Sequence, residues 1–400
     1  MKALVIGYGI SGRAAAAFLR SRGREVVAVD RKAMEGVEID RDDFPLDGFS
    51  QVILSPGVPP SHPIVRRAAA AGIEVIGEIE LAFRSIRNRC VGITGSNGKT
   101  TTVLLIAHCL RAAGKKARAL GNVGESLCGY LLEADPEEIL VVELSSFQLE
   151  TLGTKCLEMA GILNITPNHL DRHASMEEYG KAKLRIGECL KAGGELWVAR
   201  EVRDEWGVER AQVFEEIVAP IDAARYIKLG IKKNIQAAIP FCTHFGVSKE
   251  EFWSGLETFR KPPHRIEWVA DIGGTSYYND SKSSNIHSVM HAIDLMDGPI
   301  ILLIGGVHKG ASYRPWISCF QGKVKKIIAY GEAAGKMEQE LASAFPFQRV
   351  KTLQEAVTCA KMNAKEKEAV LLSPGCSSYD QFRNFEHRGE EFKRMVKEIE

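Results

Sequence analysis

The chain has 400 residues, too many for one ordinary core, so two or three domains are expected. Its 45% apolar and 26% charged residues are typical of a soluble protein, and 52 basic against 51 acidic side chains leave a net charge of +1. That balance excludes a general electrostatic attraction to nucleic acid or anionic membrane.

The first apolar run, residues 3–6, leads into Gly7-x-Gly9-x-x-Gly12, an alanine-rich helix over 13–22, and a strand over 25–29 ending at Asp30. Strand, glycine turn, helix, strand and acidic residue in that order form the dinucleotide-binding pattern of a Rossmann-type unit. From these residues alone the ligand is any nucleotide or pyrophosphate, NAD included. A second strand, 51–54, ends in Ser55-Pro56-Gly57, whose backbone donors would face the same crevice. A third, 73–76, precedes a connecting helix over 79–87.

Residues 90–93 predict a short buried strand and 100–113 a helix, with Gly95, Ser96, Asn97, Gly98, Lys99, Thr100 and Thr101 around the junction. Gly95 and Gly98 allow backbone conformations closed to residues with a Cβ. Successive N–H groups then point inward at a helix N-terminus, where the partial positive charge favours phosphate. Lys99 is placed to reach the outer phosphates of ATP, and the Thr100 hydroxyl a magnesium ion. The match is to G-x-x-G-K-T; the usual first glycine of the longer pattern is displaced, Ile93 standing five residues before Gly98.

Three further strands are predicted at 117–120, 139–142 and 161–163, ending in Gly121-Asn122, Glu143-Leu144-Ser145-Ser146 and Asn164-Ile165-Thr166. Open α/β sheets bind ligands outside the carboxyl ends of their strands, so these tails should converge beside the P-loop. Ser175-Met176-Glu177-Glu178 is a capping box opening a helix through about Leu190. Residues 195–228 are poorly patterned. Lys261-Pro262-Pro263 reads as a hinge, after which strands at 266–269, 300–304, 327–330 and 369–372 alternate with helical stretches. Two of them run into Gly305-Gly306-Val307-His308-Lys309 and Ser373-Pro374-Gly375-Cys376-Ser377-Ser378. The division is therefore 1–88, 89–262 and 263–400.

Nine cysteines without a CxxC pair point to reduced, mostly buried thiols. Met1–Gly7 lacks the regions of a signal peptide, and no apolar run approaches the twenty residues that span a bilayer. A cytoplasmic protein is expected, with no nucleic acid and no membrane insertion.

The P-loop stretch, then Gly121-Asn122-Val123-Gly124, Glu143 to Glu150, and Asn164-Ile165-Thr166-Pro167-Asn168-His169-Leu170-Asp171, closely resemble the Mur ligases. Ala182-Lys183-Leu184-Arg185-Ile186, His264-Arg265, Asn279-Asp280-Ser281-Lys282 and residues 372–385 narrow the likeness to the branch that adds D-glutamate. The resemblance runs from the first glycine turn to the C-terminus. It implies an α/β fold of three domains: a Rossmann-like N-terminal domain, a P-loop ATPase-like central domain and a Rossmann-like C-terminal domain. It also implies an ATP-dependent amide ligase that extends UDP-N-acetylmuramoyl-L-alanine through an acyl phosphate, acting as a monomer in peptidoglycan synthesis.

Residue by residue, the resemblance gives Thr100 and Glu143 to one magnesium ion, and His169 with a carbamylated Lys183 to a second. It assigns Ile10, Ser11, Asp30, Arg31, Lys32, Ser55, Pro56 and Gly57 to the uridine diphosphate, and Asn122 and Ser145 to the muramoyl or alanyl part. Asn234, Arg265 and Asp280 join the P-loop at ATP, and Lys309, Ser284, Ser378 and Phe385 form a D-glutamate pocket. The family's His-Asn-x-x-Asn is represented by residues 233–237, where only Asn234 remains. From the residues alone, the P-loop favours a metal role for Glu143 over that of a strand-end carboxylate, His169 alone reads as a structural histidine and Lys183 as a solvated helix residue, and Phe385 is equally a core residue. An NAD enzyme with an added ATPase domain and a nucleotide-binding regulator without turnover also stay open on that basis.

Overall fold

Aliphatic runs bounded by glycine turns become strands buried on both faces, as parallel sheets covered by helices require. The computed structural model describes residues 2–169, 172–216, 231–296 and 298–399. The first sheet contains β1 (Lys2–Ile6), β2 (Glu25–Asp30), β3 (Glu38–Ile39), β4 (Phe49–Leu54) and β5 (Glu74–Gly77), in the order β3-β2-β1-β4-β5 with every pair parallel. Chain order reverses between β1 and β4, where a ligand crevice opens in sheets of this type. The register Ile6↔Leu54 sets the Gly7 turn beside Ser55, whose hydroxyl donates to the Gly7 carbonyl at 2.6 Å. Gly12 packs so closely that a Cβ there would stand 1.9 Å from the same carbonyl oxygen.

The second sheet holds β6 (Cys90–Thr94), β7 (Ala117–Gly121), β8 (Ile139–Glu143), β9 (Leu157–Ile162), β10 (Leu190–Val198) and β11 (Gln212–Val213), in the order β11-β10-β9-β6-β8-β7, again parallel. The third holds β12 (Glu267–Ile272), β13 (Thr275–Asn279), β14 (Ile300–Gly305), β15 (Val324–Tyr330), β16 (Phe347–Arg349) and β17 (Ala369–Gly375), in the order β12-β13-β17-β14-β15-β16. Only β12 and β13 pair antiparallel. Successive side chains of β14 enter opposite cores: Leu302 and Ile304 pack with Trp316 and Phe320, Ile301 and Leu303 with Phe392 and Val396.

The molecule divides into two compact units. The first comprises the described residues of Met1–Ile165, Glu177–Ile221 and Ile231–Phe259 and carries the first two sheets. The second contains those of Thr166–Met176 and Arg260–Glu400, with the third sheet. Within the first unit the helix Glu78–Phe83 joins the two sheets through carboxylates. Glu78, 2% exposed, accepts from Cys128 N at 2.8 Å, and burial pushes its carboxyl above the usual range. Glu80 accepts from Gly153 N, Thr154 N and the Thr154 hydroxyl at 2.8–3.0 Å, and from Arg84.

Several local expectations are revised. The connecting helix ends at Phe83, and the helix opening at Met176 stops at Leu184 and tightens into a 3-10 turn, Arg185–Cys189. The Arg185 guanidinium donates to the carbonyls of Leu149 and Leu152, so this turn is fixed by tertiary bonds. The poorly patterned stretch contains the end of β10, the helix Arg200–Trp206 and β11, while 217–228 lies outside the described residues, as do Leu170 and Asp171. β10 contains Lys191, Gly193, Gly194 and Glu195, and is held by main-chain pairing to β9 with a register shift. β13 escaped the pattern because Thr-Ser-Tyr-Tyr-Asn has no aliphatic run, though its burial alternates. All nine cysteines are free thiols, eight of them buried. Among the described residues no helix is long and apolar enough to cross a membrane.

Replacing Gly12 by Ala should cost about 2 kcal/mol or more, because backbone rather than a flexible side chain must yield. Urea unfolding should show a lower midpoint for Gly12→Ala, and an unchanged midpoint would refute this close packing.

Candidate active site

β6 delivers its last residues into the loop that its sequence predicts. Gly98, at φ +84°, precedes the helix Lys99–Ala112 in the left-handed region that glycine tolerates. Asn164, just beyond β9, clasps the loop: its Oδ1 accepts from Asn97 N at 2.8 Å, its Nδ2 donates to Asn97 O at 3.1 Å, and its own carbonyl accepts from Ser96 N. The Ser96 and Tyr179 hydroxyls lie 3.0 Å apart. Lys99 Nζ folds back to donate to the carbonyls of Gly95 and Ser96, at 2.7 and 3.1 Å. Asn234 donates to Gly98 O and the Thr102 hydroxyl, which seats it against the start of the helix. Asn164 and Tyr179 were not singled out from sequence. Asn164 stood in a noted strand-end cluster, and Tyr179 lies four residues before Lys183 on one helix face.

Sheet register brings the remaining groups to this loop. Ile93 pairs with Glu143, and Gly121 pairs with Glu143 on the other side of β8. Asn122 Nδ2 donates to Glu143 Oε1 at 2.9 Å, while Glu143 Oε2 is buried with no hydrogen-bond partner. Ser145 caps the short helix Ser146–Leu149, exchanging bonds with Gln148. Lys183 is 1% exposed; its Nζ donates to Gly95 O at 2.9 Å and lies 4.6 Å from the centre of the Tyr179 ring. Burial drives its ammonium far below the ordinary lysine value, Lys99 pushes it further, and Glu143 opposes.

No cluster of three or more His, Cys, Asp or Glu side chains among the described residues could hold a metal. A magnesium ion of the nucleotide-bound kind needs only one or two carboxylates, the rest of its shell being phosphate oxygens and water. The unpartnered Glu143 oxygen beside the P-loop fits that donor set.

In the first sheet, Asp30 accepts from Tyr8 N at 2.6 Å and Lys32 N at 2.9 Å, clamping the glycine turn to the loop after β2. Burial raises its carboxyl, but these N–H bonds and the Lys32 charge outweigh that and hold it below the usual range. Arg31, Lys32 and Gly57 are exposed, Ile10 is 83% exposed, and Ser11, Ser55 and Pro56 are half-buried. They follow the carboxyl ends of β1, β2 and β4.

The second unit groups the remaining candidates at the carboxyl ends of β13, β14 and β17. Pro167, Asn168, His169, Asn285, His308, Lys309 and Tyr313 line a small pocket. His169 has φ +55°, and its N–H donates to Asn168 Oδ1. Lys309 Nζ donates to the Ser284 hydroxyl at 3.3 Å. Lys336 is donor-only, so His308 Nε2 accepts from it at 2.7 Å, Nδ1–H donates to the Tyr313 hydroxyl at 2.8 Å, and that hydroxyl lies 3.1 Å from Cys376 Sγ. Ser378 is buried, and Phe385 sits against His264 and 3.7 Å from Lys282 Nζ. Arg265 stands between two residues with positive φ, His264 at +63° and Ile266 at +49°. For a β-branched residue that is strain, held here by Asp280 Oδ1 accepting from Ile266 N and by Asn279 donating to His264. Asp280 also accepts from the Ser373 hydroxyl at 2.7 Å.

A parallel sheet with a phosphate-shaped loop, a buried carboxylate and a buried lysine defines a P-loop nucleotide-binding protein, whose chain also forms two more α/β sheets. Family models match along the chain: a MurD-like Mur ligase N-terminal domain over residues 1–77, a Mur ligase middle domain over 93–239, and a Mur ligase glutamate ligase domain over 264–376. The chain is 41% identical to a UDP-N-acetylmuramoylalanine–D-glutamate ligase of Protochlamydia amoebophila, covering 99% of this chain and 98% of that protein. It is 37% identical to the ligase of the same name from Chlamydia caviae, covering 100% and 98%. Its fold is shared with the MurF ligase of Thermotoga maritima solved with ADP, at a TM-score of 0.62 and 12% identity over 100% of this chain and 95% of that one. This chain belongs to the Mur ligase family.

Asp280 gives a pH signature. Burial pushes its carboxyl from 3.8 up to about 6, against the pull of the Ser283 and Ser373 hydroxyls. A folded-state value above the unfolded one means stability present below pH 4 and lost as pH rises through 6. The loss is roughly 3 kcal/mol. Relative to Asp280→Asn, the wild-type protein should therefore lose about that much between pH 4 and pH 7 in urea unfolding. A pH-independent difference between the two proteins would refute the buried, elevated carboxyl.

Proposed function

We propose that this chain is the ATP-dependent ligase joining D-glutamate to UDP-N-acetylmuramoyl-L-alanine in peptidoglycan precursor synthesis, a monomer acting in the cytoplasm. What carries the reading is the end-to-end likeness to relatives named for that reaction. In this reading residues 1–88 hold the UDP-linked precursor, 89–262 ATP, and 263–400 D-glutamate.

The alanyl carboxylate of the precursor attacks the γ-phosphorus of ATP, ADP leaves, and an acyl phosphate forms. The amine of D-glutamate adds to the acyl carbon, and the tetrahedral intermediate collapses with loss of phosphate to the amide. The first step brings two anions together, so fixed positive charge and N–H dipoles must offset their repulsion. The P-loop N–H groups and Lys99 supply part of it, Lys99 exchanging its bonds to Gly95 and Ser96 for phosphate oxygens. Arg265 and Asp280 complete the nucleotide contacts with Asn234. Asn122 and Ser145 contact the muramoyl-alanyl part, and Asp30, with Ile10, Ser11, Arg31, Lys32 and Ser55 to Gly57, the uridine diphosphate. Lys309, Ser284, Ser378 and Phe385 receive D-glutamate, Lys309 facing a carboxylate.

Thr100 and Glu143 would hold one magnesium ion, and His169 with a carbamylated Lys183 a second. Bound magnesium supplies charge neutralisation between phosphate and carboxylate oxygens. Lys183 is suited to carbamylation. Its buried amine favours the neutral form, whose lone pair adds to carbon dioxide with loss of a proton, replacing a costly cation by an anionic oxygen ligand.

With the UDP precursor, ATP and magnesium, a panel of amino acids should give sustained phosphate release with D-glutamate alone. Equal turnover with L-alanine or a diamino acid would overturn the substrate assignment. Lys183→Ala should lose several orders of magnitude in turnover, and added short carboxylates should restore part of it by occupying the vacated space. Full activity in Lys183→Ala would reduce this lysine to a packing role.

A further inference from the structure

We infer that Arg388, which touches no ligand in the reading above, is the positioning residue of the D-glutamate pocket; this rests on the D-glutamate reading. The helix Phe385–Glu398 opens with Asn384 as its cap, and Arg388 N donates to the Asn384 carbonyl. A cation so near a helix N-terminus opposes the helix dipole. Arg388 is also 0% exposed, and burying a guanidinium is costly unless its donors are satisfied. A leucine or methionine would fill the same volume without either cost, so the guanidinium needs a reason.

Its hydrogen bonds provide one. Nε donates to the Ser281 hydroxyl at 2.9 Å, Nη2 to the Ser281 carbonyl at 2.8 Å, and Nη1 to the Cys376 carbonyl at 3.1 Å. The Ser281 hydroxyl in turn donates to the Phe385 carbonyl at 2.8 Å. One planar group thus ties together the segment after β13, the end of β17 and the first turn of the last helix. Each of these carries a proposed D-glutamate contact within three residues of the tie: Ser284 after Ser281, Ser378 after Cys376, and Phe385 before Arg388 itself. The fourth, Lys309, is bonded to Ser284.

The fork fixes angles as well as distances, so the three segments are set at one mutual spacing. A lysine ammonium on a flexible stem cannot bond both carbonyls and the hydroxyl in that plane. Displacements of about 1 Å at a reacting site cost up to a hundredfold. Loss of the fork should therefore be read in D-glutamate recognition before anything else.

The test uses the full-length enzyme, with Arg388→Lys, Arg388→Met and Ser281→Ala. KM for D-glutamate should rise at least thirtyfold in both Arg388 variants and at least fivefold in Ser281→Ala. KM for ATP and for the UDP precursor should stay within threefold of wild type. If the Arg388 variants fail to fold, Ser281→Ala decides, since it removes one acceptor and the link to Phe385 while leaving the guanidinium buried. A D-glutamate KM within threefold of wild type, or a parallel rise in all three KM values, overturns the inference. Wild-type enzyme that does not use D-glutamate overturns the functional reading and this one together; wild-type turnover with unmoved variants overturns this one alone.

Discussion

A lysine amine buried against the first carbonyl of the P-loop sets the terms for the chemistry of the first unit. Lys183 has lost its water, bonds Gly95 O, and shares its surroundings with Lys99 and Glu143. Two amines and one carboxylate beside the P-loop leave an excess of positive charge if both amines are ammonium ions. Burial and the neighbouring Lys99 relieve it by favouring the neutral form of Lys183. The loop is stiff enough to hold that arrangement because Asn164 closes a two-bond clasp on Asn97 and Tyr179 meets Ser96.

Strand order explains why these groups meet. β8 carries Glu143 to the edge of the P-loop on one side of β6, and β9 carries Asn164 there on the other. Both sit at carboxyl ends of parallel strands, where main-chain N–H groups and helix N-termini face the ligand. In the first sheet the same geometry recurs between β1 and β4, with Asp30 spent on clamping the turn. The two sheets of the first unit are joined by the carboxylates of Glu78 and Glu80, so the crevice of the first sheet and the P-loop of the second belong to one compact unit.

The second unit is built differently, from loops cross-braced by buried polar groups: Asp280 beneath the strained residues flanking Arg265, the chain from Lys336 through His308 and Tyr313 to Cys376, and the Arg388 fork. Such networks are expensive unless every member is satisfied, and when satisfied they specify one geometry.

What the sequence determined by itself was the set of parts. Gly95 to Thr101, the first glycine turn, the aliphatic strands of all three sheets and the family likeness were legible because local backbone freedom and hydrophobic runs leave a signature in adjacent residues. β10 and β13 were not, since main-chain pairing to a neighbour replaces the apolar run that would mark them. Nor were Tyr179 and Arg388, while Asn164 was legible as a strand-end residue beside the P-loop but not as its clasp. Their meaning lies in partners 83, 107 and 67 positions away in the chain, and nothing local distinguishes a phenol, a guanidinium or an amide that braces a loop from one in solvent. Lys183 shows the boundary most clearly: on the sequence it reads as one more helix lysine, and only tertiary burial against Gly95, which strips its water and disfavours its charge, makes it a different chemical group.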